Sequence, residues 1–142
     1  MKILDTQNRK IKSTNGFEHV TKMPKGKVFV WGDCLIGNNV LEKGFKWLDR
    51  WDLIVASRPY SELAMDVVTD KNREKALKTL GDLRVPLPDS RAMFLKDSQK
   101  ARSTYENWLV LKNEYNEHLA LLIAIWYLKP YYKLLPAGKW IT

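Results

Sequence analysis

Between His118 and Pro130 the chain reads HLALLIAIWYLKP, with no polar face from Leu119 to Leu128. A helix that is apolar all round has to be enclosed, either as the post of a core or as half of an interface. It does not reach across a bilayer, which takes about 20 apolar residues. The opening MKILDTQNRKIK holds no apolar run of the kind a secretion signal needs. The expectation is a soluble, cytoplasmic protein without membrane contact.

The apolar period extends upstream of that segment. Trp108, Leu111, Tyr115, Leu119, Leu122 and Trp126 recur at helical spacing. The STYE tetrapeptide offers a capping box between Ser103 and Glu106, and Pro130 ends the run. This predicts one long helix over 103–129, followed by an aromatic tail over 130–142 able to pack back or swap onto a neighbour.

Earlier in the chain, KVFVWG and WDLIVAS are strand-like, β-branched and apolar. NNVLEKGFKWLDR between them carries apolar residues on one helical face, with Gly44 costing about 1 kcal/mol against alanine. YSELAMDVV reads as a short helix begun near Ser61. DKNREKALKTLG reads as a longer one, with Asp70 as its N-cap and Gly81 as its C-terminal cap. Strand, helix, strand, helix permits a neighbouring parallel pair joined by a crossover.

Residues 1–27 read as a basic hairpin around DTQNR, with Ile3 and Ile11 on its arms, and a connection. Residues 28–83 form the strand–helix region. The prolines of RVPLPDS mark 84–102 as a linker. The whole, 1–142, is a single domain of α+β (or small α/β) class: a short N-terminal sheet packed on helices, with the long C-terminal helix as core post.

Ligands of open α/β sheets gather beyond the carboxyl ends of strands. Gly32, Asn38 and Asn39 follow the first strand, and Ser57, Arg58 and Ser61 end the second, so these residues are candidate phosphate contacts. Their spacing matches neither the P-loop nor the dinucleotide fingerprint. Asp33 and Asp52 are the weak candidates for an acid/base pair. The one cysteine, Cys34, sits beside Asp33, whose charge raises a thiol pKa. His118 follows Glu114 at helix-surface spacing, and no further metal ligand is identifiable. Neither metal nor cofactor is expected.

Charge sharpens the choice. Lysine and arginine number 24 against 16 acidic residues, a net charge of +8. The first 27 residues hold much of the excess, among them Lys10, Lys12, Lys25 and Lys27. Six tryptophans and six tyrosines accompany it. Trp47, Trp51, Tyr60, Tyr131, Tyr132 and Trp140 stand next to charges or in irregular segments. Rings beside cations suit unpaired bases, which stack while the cations track phosphates.

The leading reading is therefore a non-enzymatic binder of nucleic acid or nucleotide. Short, basic chains without a housekeeping motif are frequent among phage and mobile-element accessory proteins. The second reading is a protein-interaction or inhibitor module, or a homo-oligomer, docking through Leu119, Leu122, Trp126, Tyr131, Tyr132 and Trp140. The third is a small nucleotide- or nucleic-acid-modifying enzyme that uses Asp33.

Overall fold

The two β-branched runs are strands, and the segment between them is a helix, in a computed structural model that describes residues 2–5, 27–32 and 40–136. The elements are β1 (Lys2–Asp5), β2 (Val28–Trp31), α1 (Val40–Trp47), β3 (Leu53–Ser57), α2 (Ala64–Val67), α3 (Asp70–Leu80), β4 (Pro88–Leu95), α4 (Gln99–Leu111), α5 (Glu117–Leu128) and β5 (Tyr132–Leu135). A 3-10 turn, Pro59–Ser61, follows β3. The class is α+β, and no helix among the described residues is long and apolar enough to cross a membrane.

The strands make one five-stranded sheet in the order β1-β2-β4-β3-β5. β4 runs antiparallel to β2 on one side and to β3 on the other, while β5 lies parallel to β3. β2 and β3 therefore point the same way, but they are not the neighbouring pair that the strand–helix–strand order predicts. β4 separates them. Its sequence falls in the stretch expected to be a linker, because Pro86 and Pro88 lack amide donors. Pro88 is only the first residue of the strand, a position where the missing donor is tolerated. β1 pairs with β2 (Leu4 opposite Phe29). Ile11 and the rest of the expected first hairpin lie outside the described residues.

Alternation along the strands divides the core into two layers. Val30, Leu53, Val55, Met93 and Leu95 face the helices, where Ala76, Leu80, Tyr105, Trp108, Leu119 and Leu121 meet them. Phe29, Ile54, Ala56 and Phe94 face the other way and pack on Phe45 and Leu48 at the end of α1. Phe94 anchors this smaller layer, stacked on Phe29 at 4.5 Å between centroids and edge-on to Phe45 at 5.5 Å. Gly44 now has a reason. A Cβ there would land on the Phe94 ring, so the glycine lets α1 approach the sheet.

The single long helix is a second correction: α4 and α5 form a hairpin that breaks at 112–116. Ser103 lies inside α4, whose cap is Ser98, accepting from the Ala101 amide at 3.2 Å. Asn116 caps α5 by accepting from the amides of His118 and Leu119 at 2.9 and 3.3 Å. Asn72 of α3 donates to the Glu114 carbonyl at 3.0 Å, and the Trp108 indole N–H donates to the Glu117 carbonyl at 2.9 Å, so these carbonyls at the turn are satisfied. The apolar period continues through the turn because both helices face the same core. Most of α5 is nonetheless enclosed, with Leu119 through Leu121 and Ile123 through Ile125 buried, whereas Trp126 and Tyr127 at its end are exposed.

α3 is capped one residue before the expected position, at Thr69, and ends at Gly81 in the left-handed region (φ 79°) as predicted. Within the expected tail, Tyr132–Leu135 packs back as β5 beside β3, and residues 137–142 lie outside the described residues.

Candidate functional site

The expected phosphate crevice would open at the sheet end where β2 and β3 finish. Gly32 donates to the Arg91 carbonyl at 2.7 Å, and Ser57 is in register with Pro88. Both corners thus flank the beginning of β4 on the same rim. Arg58 is there too, but it is engaged, reaching Glu62 at 3.1 Å and Asp89 at 3.1 Å. Asp89 is buried and also takes Arg91 in a bidentate grip, with Nη2 at 2.7 Å. Ser61 is exposed on the strained turn after β3, where Tyr60 and Ser61 have φ of 61° and 54°.

His118 closes this cluster from α5. Its Nδ1 accepts the Ser90 amide at 3.0 Å, which leaves the ring proton on Nε2, 3.5 Å from the Glu117 carboxylate. Burial first, and the Arg58 charge second, hold its pKa below the ordinary histidine value, against the pull of Glu117, Asp89 and Glu62. Burial pushes Asp89 upward, but hydrogen bonds and charge from Arg91, with a contribution from His118, outweigh it and leave its carboxyl below the usual range. The Ser90 hydroxyl, 3.0 Å from the same nitrogen, has no solvent exposure. The charges of the cluster pair among themselves, and the hydrogen bond from the Ser90 amide to His118 joins the sheet end to α5.

Asp52 is likewise occupied. It lies just before β3, at the opposite end of the sheet from Gly32, where its carboxylate accepts the Ser98 hydroxyl at 2.7 Å and the Tyr131 amide at 2.9 Å. These bonds tie the start of β3 to the start of α4 and to Tyr131 just before β5, and Asp33, its expected partner, lies outside the described residues. Lys10, Lys12, Lys25, Asp33, Asn38, Asn39 and Trp140 lie outside the described residues. Among the described residues, no three His, Cys, Asp or Glu side chains converge as metal ligands.

A different constellation forms on the α1 face. Trp47 at the end of α1 and Trp51 before β3 line a hollow of about 750 Å³ with Lys43, Lys46, Arg50 and Lys133. Strand alternation brings Lys133 to this side of β5. Its ammonium sits 5.5 Å from the Trp47 ring centre and 5.7 Å from that of Trp51, within cation–π range. The carboxylate in this hollow, Asp49, is already paired with Lys27, which also donates to the Phe45 carbonyl at 3.3 Å. The Lys27 hydrogen bond and charge, with Lys96 and Lys46 behind them, hold the Asp49 carboxyl below its ordinary pKa. The hollow is therefore cationic, and both its tryptophans pack partly against the smaller core layer.

Trp47, Trp51 and Lys27 are among the residues the sequence singles out, whereas Lys43, Lys46, Arg50 and Lys133 are not. A signal is present in KWLDRW, where cations and tryptophans interleave within one turn and a loop. Of the expected interface residues, Leu119 is buried in the chain's own core, and Leu122 packs against that core from its margin. Trp126, Tyr131 and Tyr132 are exposed. No family model matches this sequence, and neither a curated protein nor a solved structure matches it.

Proposed function

We propose that this protein is a non-enzymatic binder of single-stranded nucleic acid and that the tryptophan hollow on the α1 face is its contact surface. The observation that carries the reading is the Lys133 ammonium set against two tryptophan rings, with Lys43, Lys46 and Arg50 around them and the acidic neighbour Asp49 already neutralised. Unpaired bases stack on aromatic faces for about 1–3 kcal/mol each, tolerant of sequence. Cations around the rings attract the phosphates, and each phosphate they neutralise releases condensed counterions. Lys133, positioned by β5, then bridges the stacked ring and the backbone that follows it.

The test is anisotropy of a labelled single-stranded oligonucleotide at several salt concentrations, with tryptophan fluorescence as a second signal. Binding that weakens steeply with salt, quenches tryptophan emission and is abolished in a Lys43→Glu/Lys133→Glu double variant supports the reading. An affinity that this double variant leaves intact refutes it.

A further inference from the structure

On the opposite face of the sheet, between α5 and β5, lies a second hollow of about 470 Å³ with a different chemistry. Its walls are aliphatic or aromatic, among them Val85, Leu122, Ile125, Trp126, Pro130 and Leu134, and its charged lining residue is Lys129. Exposed apolar side chains collect around it: Trp126 is 51% exposed, Tyr132 43% and Leu134 41%. Large apolar surface left open in this way marks an interaction site.

The hollow adjoins an unfinished sheet. Among the described residues, no strand pairs with the outer side of β5. The Leu53 amide bonds the Tyr131 carbonyl at 3.1 Å, so alternation turns the backbone groups of Tyr132 and Leu134 outward. A strand added at this edge would extend the surface from which Tyr132 and Leu134 reach the hollow, and alternate side chains of that strand would enter it.

We infer that this edge and hollow dock an extended acidic segment of another protein, which adds as a strand to β5 and seats apolar side chains against Leu122, Ile125 and Leu134. The charge of the rim selects this occupant. Lys129 borders both the hollow and a neighbouring depression that holds Lys75 and Lys78, and Lys75 already binds Glu114 at 2.7 Å. A second copy docked about a two-fold axis would bring this lysine rim against itself, in a chain of net charge +8. Trp126 and Tyr132 are the rings of this lining and Lys129 its cation, and the remaining walls are aliphatic side chains and prolines, which suit apolar side chains better than bases. An acidic segment with alternating apolar residues satisfies both the walls and the rim.

Lys129 supports the assignment from the backbone. It occupies the left-handed region (φ 49°, ψ 52°) at the end of α5, where glycine is the usual residue. A lysine there is less readily accommodated than glycine, yet it places a cation at the mouth of the hollow.

The test uses the full chain and a fluorescently labelled peptide alternating leucine with glutamate, against a counterpart alternating leucine with lysine. The acidic peptide should bind and the basic one should not. Leu134→Glu, at an exposed position, should weaken binding by about tenfold or more. Lys129→Gly should weaken it while leaving the fold intact, since glycine suits that conformation. Equal affinity for both peptides, or for neither, overturns the inference. So does a dimer in native mass spectrometry that Leu134→Glu dissociates, which would make a second copy the occupant. Displacement of the peptide by an oligonucleotide in a Lys43→Glu/Arg50→Glu variant, whose tryptophan hollow no longer attracts phosphate, would also overturn it. The Lys43→Glu/Arg50→Glu variant separates the two proposals, because it alters the tryptophan hollow and leaves β5 and Lys129 in place.

Discussion

The rim of the sheet at Asp89 and the tryptophan hollow at Lys133 are both rich in arginine or lysine, yet they hold their charges in opposite ways. At the rim, Arg58 and Arg91 converge on one buried carboxylate, and His118 beside them has its pKa lowered, chiefly by burial. In the hollow, lysines and Arg50 surround tryptophan rings, and the carboxylate among them is already taken by Lys27. Cations matched to buried acids stabilise a fold. Cations that outnumber the acids around them attract an external anion. The two regions teach that proximity of basic residues says little until their partners are known.

That contrast fails first if Asp89 can be removed harmlessly. Asp89→Ala removes the buried carboxylate that Arg58 and Arg91 share, while Arg58 keeps Glu62, and we expect a loss of about 3 kcal/mol in denaturant unfolding, with oligonucleotide affinity of the remaining folded protein unchanged. Next in size is Gly44→Ala, which drives a methyl group into the Phe94 ring. Overpacking of this kind costs about 1–3 kcal/mol, and because α1 carries Trp47, this variant should lower oligonucleotide affinity as well as stability.

Trp51→Leu sharpens the comparison from the other side. It should weaken oligonucleotide binding by about 1–3 kcal/mol per base no longer stacked, as read by anisotropy, and leave the rim cluster undisturbed. A finer measure is Lys43→Gln, which should flatten the salt dependence by about 0.7 in the log–log slope for each phosphate no longer neutralised.

The smallest effect is a pH dependence confined to the rim. His118 has its pKa lowered, by burial first and then by the Arg58 charge. As pH falls through about 6.5 the unfolded chain takes up this proton and the native chain does not. Stability should therefore decline below that pH until the native value is reached. Asp89, with its pKa lowered, adds a second loss at more acid pH, as protonation proceeds through its native value. Denaturation midpoints recorded against pH should show the first decline in the native protein and a flatter line in His118→Gln.

Much of the architecture is legible locally. Val28–Trp31 and Leu53–Ser57 are strands, Val40–Trp47 and Asp70–Leu80 are helices, and Gly81 caps the second of these, all from periodicity and cap chemistry. Three features are not. The central strand β4 hides behind Pro86 and Pro88, because a proline is harmless at a strand's first residue but reads as a break. The turn between α4 and α5 is invisible because Trp108, Tyr115 and Leu119 stay in phase across it, and only Asn113 and Asn116 hint at a stop. The cationic hollow escapes because Lys133 and Trp47 are distant in sequence, and β5 brings them together only by pairing with β3.

From its residues alone, this chain had to bury most of the apolar segment that begins at Leu119, build strands from its β-branched runs and carry an excess of positive charge. Those properties follow from side-chain chemistry and the periods of helix and strand, which act over a few neighbours. Which basic residues meet a buried acid and which line an open hollow was decided only by the tertiary structure. The insertion of β4 between β2 and β3 brings Asp89 to Arg58, and β5 brings Lys133 to the tryptophans. An ion pair is a matter of a few ångströms in space, and no pattern along the chain encodes that distance until strands distant in sequence have paired.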